Sequence, residues 1–160
     1  MAYLIDGSNL IGFIYPNSLK DPKSKYELVS NLLIFQRIKK ARVILVFDGP
    51  PDTRFTDEKF RKKSFKILFP DFEQNADRVI KDIIAKQNDL KRFFVVSSDR
   101  EIKTYARMKG ANTLTCQEFL KELRIILKKH KKYLETKKNV KELSPLEINQ
   151  WIEIFKAKNE

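Results

Sequence analysis

The sequence predicts an α/β domain: a mainly parallel central sheet of four to five strands with helices on both faces. Three observations predict it. Short β-prone apolar runs recur along the chain, helical i, i+4 spacings lie between them, and the runs end at Asp or Asp-Gly. Strands alternating with helices in this way favour parallel pairing, because each crossover helix covers one face of the sheet.

The first run is Ala2-Tyr3-Leu4-Ile5, ended by Asp6-Gly7, and the second is Arg42 to Phe47, ended by Asp48-Gly49-Pro50-Pro51. Phe65 to Phe69 and Arg92 to Val96 have the near-continuous apolar character of strands covered on both faces, and Ala111 to Leu114 adds a short fifth. Between them Leu28 with Leu32, Val29 with Leu33, Val79 with Ile83 and Ile80 with Ile84 mark helical stripes. S/T-x-x-E capping boxes place helix starts at Ser24 with Glu27, Ser98 with Glu101, Thr115 with Glu118, and Ser144 with Glu147. Residues 1–134 read as the domain proper. Residues 135–160 read as a polar, lysine-rich link (135–143) and a last helix whose stripe of Ile148, Trp151, Ile152 and Phe155 packs back on it.

A chain of 160 residues with 12 Phe has enough apolar surface for one packed core. A net charge of +12 with a pI near 9.7 draws anionic partners, nucleic acid first; a well-solvated lysine-rich surface explains the same charge. One Cys excludes an internal disulfide, and one Cys with one His cannot build a zinc cage, so a metal would be held by oxygens. No basic leader precedes an apolar stretch, and no run approaches the roughly 18 apolar residues of a membrane span, so no membrane association and a cytoplasmic location are expected.

In open parallel sheets ligands bind outside the carboxyl ends of the strands. Asp6 and Asp48 end strands there, Asp99 follows Val95-Val96-Ser97-Ser98, and Asp77 opens the helix leading into that strand. Gathered carboxylates repel one another, and a hard cation relieves the repulsion, so Mg²⁺ or Mn²⁺ is the expected cofactor. Each Asp also fits a structural role: Asp6-Gly7 and Asp48-Gly49 as turns, Asp77 at a helix N-terminus, Asp99 inside a capping box. Asp82 lies about 140° around the helix from Asp77 and reads as a surface partner of Arg78.

Tyr3-Leu4-Ile5-Asp6-Gly7-Ser8-Asn9-Leu10 resembles the opening of NYN domains, a branch of the PIN-like nucleases. Val46-Phe47-Asp48-Gly49, Asn75-Ala76-Asp77-Arg78-Val79-Ile80 and Val95-Val96-Ser97-Ser98-Asp99-Arg100-Glu101-Ile102 follow in the order of the YacP-type group, and the Trp151 tail is also similar. The resemblance implies a single-domain PIN-like fold and a metal-dependent endoribonuclease acting on mRNA in a ribosomal context. It implies that Asp6, Asp77 and Asp99 bind the metal, that Asn9 and Ser98 orient metal water or a phosphate, and that Asp48 contributes from outside. Many relatives carry two adjacent acids where this chain has Asp77-Arg78, which leaves one carboxylate fewer; Arg78 would instead approach a phosphate.

Two basic segments would track RNA: Lys59, Arg61, Lys62, Lys63 and Lys66, and the helix carrying Lys121, Arg124, Lys128, Lys129, Lys131 and Lys132, with Arg78 and Arg100 beside the acids. On that helix Lys121, Arg124, Lys128 and Lys132 share a face opposite Leu120, Leu123, Leu127 and Leu134. His130 sits in a KKHKK run far from the acids, so metal-free cleavage by histidine has little support. Phe13, Tyr15 and Phe55 are placed in loops near the acids, where they could stack on bases. Two other readings keep the fold: a non-catalytic RNA-binding module, favoured by Arg78, and a structure-selective DNA nuclease. A haloacid-dehalogenase-type phosphatase would need Asp-x-Asp at the first strand, which Asp6-Gly7-Ser8 lacks.

Overall fold

The computed structural model describes residues 1–16, 21–70, 73–140, 149 and 152–157. Its centre is a six-stranded sheet of β1 (Ala2–Asp6), β2 (Arg42–Val46), β3 (Arg61–Lys62), β4 (Phe65–Leu68), β5 (Phe93–Val96) and β6 (Asn112–Leu114), in the order β3-β4-β2-β1-β5-β6. All neighbours pair in parallel except β3 with β4. The five expected strands are present. The sixth, β3, is a two-residue antiparallel edge strand in a polar stretch with no apolar alternation to announce it.

Strand alternation sorts the side chains into two layers. Tyr3, Ile5, Val43, Leu45 and Phe65 face α1 (Gly7–Ile14), α2 (Pro22–Lys39) and α5 (Cys116–Val140), which contribute Leu10, Leu28, Leu32, Phe35, Phe119 and Leu123 to one core. Ala2, Leu4, Ile44, Phe93 and Val95 face α3 (Ala76–Ala85) and α4 (Arg100–Lys109), which contribute Ile80, Ile84, Ile102 and Ala106 to the other. A sheet covered on both faces explains why its strands read as apolar runs. On the first face Tyr3 stacks on Phe94 at 5.1 Å between ring centroids and meets Phe35 edge-on.

Helix ends differ from expectation where a stronger cap stood nearby. Asp21, followed by Pro22, caps α2, and Ser24 is buried one turn inside the helix. Asp99, not Ser98, caps α4, accepting from the Glu101 and Ile102 N–H groups. Thr115 accepts from the Glu118 N–H at the start of α5, as its capping box requires. The Ser144 box lies outside the described residues.

The helix α5 runs on through Val140, so residues 135–140 continue it rather than forming a link. Leu134, expected on its apolar face, is exposed; Phe119, Leu123 and Ile126 make its buried stripe. At about 1.5 Å per residue α5 is roughly 37 Å long, against about 16 Å for a five-residue strand, so its distal half extends past the sheet. A helical stretch at 152–157 returns to it through the ring of Phe155, edge-on to Tyr133 at 5.5 Å. Ile152 is exposed, and Ile148 and Trp151 lie outside the described residues. Among the described residues no helix is long and apolar enough to cross a membrane.

Candidate active site

The strand order reverses at β1. The chain runs from β1 to β2, out to the edge strand β3 and back to β4 beside β2, then returns through α3 to place β5 on the other side of β1. At such a switch point the connections leave on opposite faces and a crevice opens beyond the carboxyl ends of the two strands. Asp6 closes β1, and Asp99 follows β5 by three residues, so the topology brings them to this crevice. Asp48 follows β2, and Asp77 lies in the first turn of α3.

Asp6 is the most deeply placed of the four, only 6% exposed. Its Oδ1 accepts from the Asn9 N–H at 3.3 Å as the cap of α1, and its Oδ2 accepts from the Ser97 hydroxyl at 3.3 Å. Burial raises its pKa to about 6, and the nearby charges of Asp77 and Asp48 add to the rise, against the two hydrogen bonds. Asp77 is half-buried, and its carboxyl is pushed above the usual carboxylate range by burial and then by Asp99 and Asp48, with Lys81 pulling the other way. The four aspartates therefore share one electrostatic neighbourhood, as the strand-end placement predicted.

Their hydrogen bonds also give them structural work. Asp48 Oδ1 accepts from the Ala76 N–H at 3.2 Å, tying the end of β2 to the start of α3, and its own N–H donates to the Ser8 hydroxyl at 2.9 Å. Asn9 joins three elements: its Oδ1 accepts from the Ser98 N–H and from the Cys116 thiol, each at 2.9 Å. The Ser98 hydroxyl in turn accepts from the Cys116 N–H at 3.1 Å. With Asn9 Oδ1 held by two donors, its NH₂ group is the part left to face a phosphate or water. Burial raises the Cys116 thiol, so it stays a neutral donor in this knot.

The Asp-Gly pairs are not both turns. Gly7 opens α1 directly, and a Cβ there would meet the buried Phe47 ring at 2.6 Å and the Val46 carbonyl at 3.0 Å; only glycine lets the helix start this close to the end of β2. Gly49 has φ of +100° with open space around it, the turn glycine the sequence described.

Sequence reasoning missed Lys81, Glu101 and Ser97. Lys81 and Glu101 pair at 2.8 Å between α3 and α4, beside Asp77. The signal was present in the spacing: Asp77 and Lys81 form an acid-then-base i, i+4 pair. Asp82 and Arg78 are both exposed, and among the described residues no ion pair joins them. Arg78 and Arg100 are exposed in the first turns of α3 and α4, at the acidic end of the sheet.

Of the proposed stacking aromatics, Phe55 is buried against Phe60, and Tyr15 is half-buried, its hydroxyl pushed above the usual range by burial and the nearby Glu27; Phe13 alone is exposed. Lys121, Arg124, Lys128 and Lys132 form one exposed stripe along α5. Lys59, Arg61, Lys62 and Lys63 are exposed at the far edge of the sheet, and Lys63 lies in the β3–β4 turn, at the end opposite the acids.

Among the described residues no three His, Cys, Asp or Glu side chains form a ready-made metal cage. The donor set nevertheless fits a hard cation. Mg²⁺ keeps several waters and needs only one or two carboxylates, and charge-coupled acids held above their usual pKa are relieved by such an ion.

An open, mostly parallel sheet with aspartates gathered at its switch point defines an α/β domain with an acidic centre. The chain belongs to the YacP-like NYN domain family, which matches residues 3–156. The crystal structure of Rae1 (YacP) from Bacillus subtilis is similar, with a TM-score of 0.70 at 21% identity, covering 98% of this chain and 91% of that one. A tryptophan-to-leucine mutant of the same Bacillus subtilis protein gives a TM-score of 0.66 at 22% identity, covering 85% of this chain and 82% of that one. At that identity the likeness is one of fold. No curated protein matches the chain.

Proposed function

We propose that this protein is a metal-dependent endoribonuclease that hydrolyses internal phosphodiester bonds of mRNA, with the ribosome as its working context. The observation that carries the proposal is Asp6: a buried carboxyl with its pKa raised to about 6, beside Asp48 and Asp77 at the sheet's switch point, with Asp99 next to Asp77. Caps alone do not call for so much coupled negative charge. Asp6, Asp77 and Asp99 would hold Mg²⁺ or Mn²⁺, with Asp48 close enough to raise the carboxyls of Asp6 and Asp77. When bound, such an ion supplies a water of lowered pKa and neutralises charge on the phosphate.

The chain's own groups then have separable tasks. Asn9 and Ser98 are positioning residues, fixing the β1–α1 and β5–α4 junctions against Cys116 so that the acids keep their places. The exposed guanidiniums of Arg78 and Arg100 reach toward the scissile phosphate's neighbours, and the stripe Lys121, Arg124, Lys128 and Lys132 holds more distant backbone. The mRNA and ribosome parts rest on family membership.

The test is cleavage of a labelled structured RNA, a translated mRNA and a DNA flap, with Mg²⁺, Mn²⁺ or EDTA, by the wild type and Asp6→Asn. Cation-dependent RNA cutting that Asp6→Asn loses while still binding RNA supports the proposal. Cutting confined to the translated message supports the ribosomal context, and cutting of the flap alone favours a DNA nuclease. RNA binding without cutting under any condition would replace it with the non-catalytic binding module that Arg78 in place of a second acid favours.

A further inference from the structure

The amino ends of the strands, opposite the acids, carry a cleft of about 660 Å³ lined by Gln36, Arg37, Lys40, Arg42, Lys63 and Ser64 together with Met1 and Ala41. Three chain segments meet there: the end of α2, the start of β2, and the β3–β4 turn, with the Val43 N–H donating to the Ser64 carbonyl. We propose that this cleft is a second RNA site, one that grips backbone phosphates and reads no bases. This inference rests on the ribonuclease reading and adds a second site to it.

Charge is the first argument. Lys63 of the β3–β4 turn meets Arg37, Lys40 and Arg42 of the α2–β2 junction, no acid lines the cleft, and among the described residues none of the four is in an ion pair. Arg42 donates through Nη2 to Gln87 at 2.9 Å, which orients its guanidinium without neutralising it. Four cations brought together unpaired repel one another, and a phosphate backbone relieves them.

The lining decides which part of the nucleic acid is held. No aromatic ring lines the cleft, so nothing stacks on a base; Gln36 and Ser64 supply neutral hydrogen-bonding groups beside the cations, a combination suited to phosphate oxygens. Extent argues for a strand over a small anion. The exposed cations continue past the cleft through Lys62 and Arg61 along the sheet edge. The cleft and the acids are separated by the length of a strand, about 16 Å, so they hold different stretches of one RNA.

The test compares the wild type with Arg37→Gln/Lys63→Gln and with a charge-matched control, Lys86→Gln/Lys109→Gln. All four side chains are exposed, and circular dichroism and thermal melting establish that each variant folds. Binding of labelled single-stranded RNA is followed by anisotropy in EDTA over a range of salt. The cleft variant is expected to bind several-fold more weakly and to lower the steepness of log K against log salt by about 1.4, which is about 0.7 for each phosphate left without its cation. The control changes both far less, and in Mg²⁺ the cleft variant raises KM and leaves kcat as it is. Equal affinity and slope in the wild type and the cleft variant would overturn the cleft while leaving the ribonuclease reading in place. A wild type that binds no RNA would overturn both. Displacement of RNA from the wild type by sub-millimolar inorganic phosphate, absent in the cleft variant, would reassign the cleft to a free anion.

Discussion

The two ends of the sheet carry opposite charge, and only at one of them is the charge buried. In a parallel α/β sheet the carboxyl ends of the strands lead into helix N-termini, where acids are favoured, and the amino ends receive helix C-termini, where bases are favoured. The basic end follows this pattern: Arg37 and Lys39 close α2, Arg107 and Lys109 close α4, and of these only Lys39 and Glu122 pair among the described residues. The acidic end exceeds it. Asp99 caps α4, but Asp6 is buried beyond what capping requires, and Asp77 is driven up by its like-charged neighbours. Exposed charge that the helix dipole favours marks a site only where it gathers unpaired, as Arg37, Lys40, Arg42 and Lys63 do, whereas charge held against its own desolvation marks the place where a cation or substrate belongs.

The largest effect that would break this contrast is on catalysis. Asp6→Asn keeps the size of the side chain and an oxygen for the Asn9 N–H, and removes the charge. Cutting by the variant should fall by about 100-fold or more while RNA affinity changes little, measured as single-turnover cleavage beside anisotropy. A variant that cuts normally would leave the acidic end with a structural role only.

The next effect is on stability. A carboxyl whose pKa rises from 3.8 unfolded to about 6 folded binds its proton more tightly in the native state. Its contribution is therefore present below about pH 4 and is lost as pH rises through about 6, a change of about 3 kcal/mol at most. In EDTA the wild type should lose Tm between pH 4 and 7, and Asp6→Asn should lose much less. Mg²⁺ at pH 7 should restore the wild type and leave the variant unchanged. Cleavage, which needs the ionised carboxyl, should rise over the same window.

The two Asp-Gly pairs show which parts of this were legible in the sequence. The five apolar strands and the shared placement of four aspartates followed from local runs and their ends, since a strand buried on both faces writes its burial into every residue. Gly7 looked like Gly49, because a dipeptide does not disclose that a phenylalanine forty residues later fills the space over its Cα. Ser24 and Ser98 look like caps because the box is local, while the caps that formed, Asp21 and Asp99, won through Pro22 and the end of β5. Lys81, Glu101 and the Asn9–Ser98–Cys116 knot depend on contacts between distant segments. The cleft at the basic end does too: Lys63 joins Arg37, Lys40 and Arg42 from twenty-one residues further along the chain. Gly7→Ala should lower stability by about 2 kcal/mol, or Tm by roughly 4–8 °C, because the Phe47 ring is fully buried and cannot retreat. Gly49→Ala meets open space and bears only the backbone cost of its positive φ, about 1 kcal/mol. Equal losses at the two glycines would mean that α1 does not start where the packing places it.

The smallest effect sharpens the contrast from within the acidic end. Lys81 is the cation placed among the acids: it pairs with Glu101 and lowers the Asp77 carboxyl against burial, Asp99 and Asp48. Replacing it by methionine keeps much of the aliphatic stem beside Tyr105 and removes the charge. With that pull gone Asp77 moves further upward, so the rise of cleavage with pH should shift to higher pH while the rate on the high-pH plateau stays near that of the wild type. A structural role for Lys81, limited to bridging α3 and α4, would instead lower Tm and leave the pH profile where it was. The pH–rate profile therefore distinguishes a residue that tunes the acids from one that only holds two helices together.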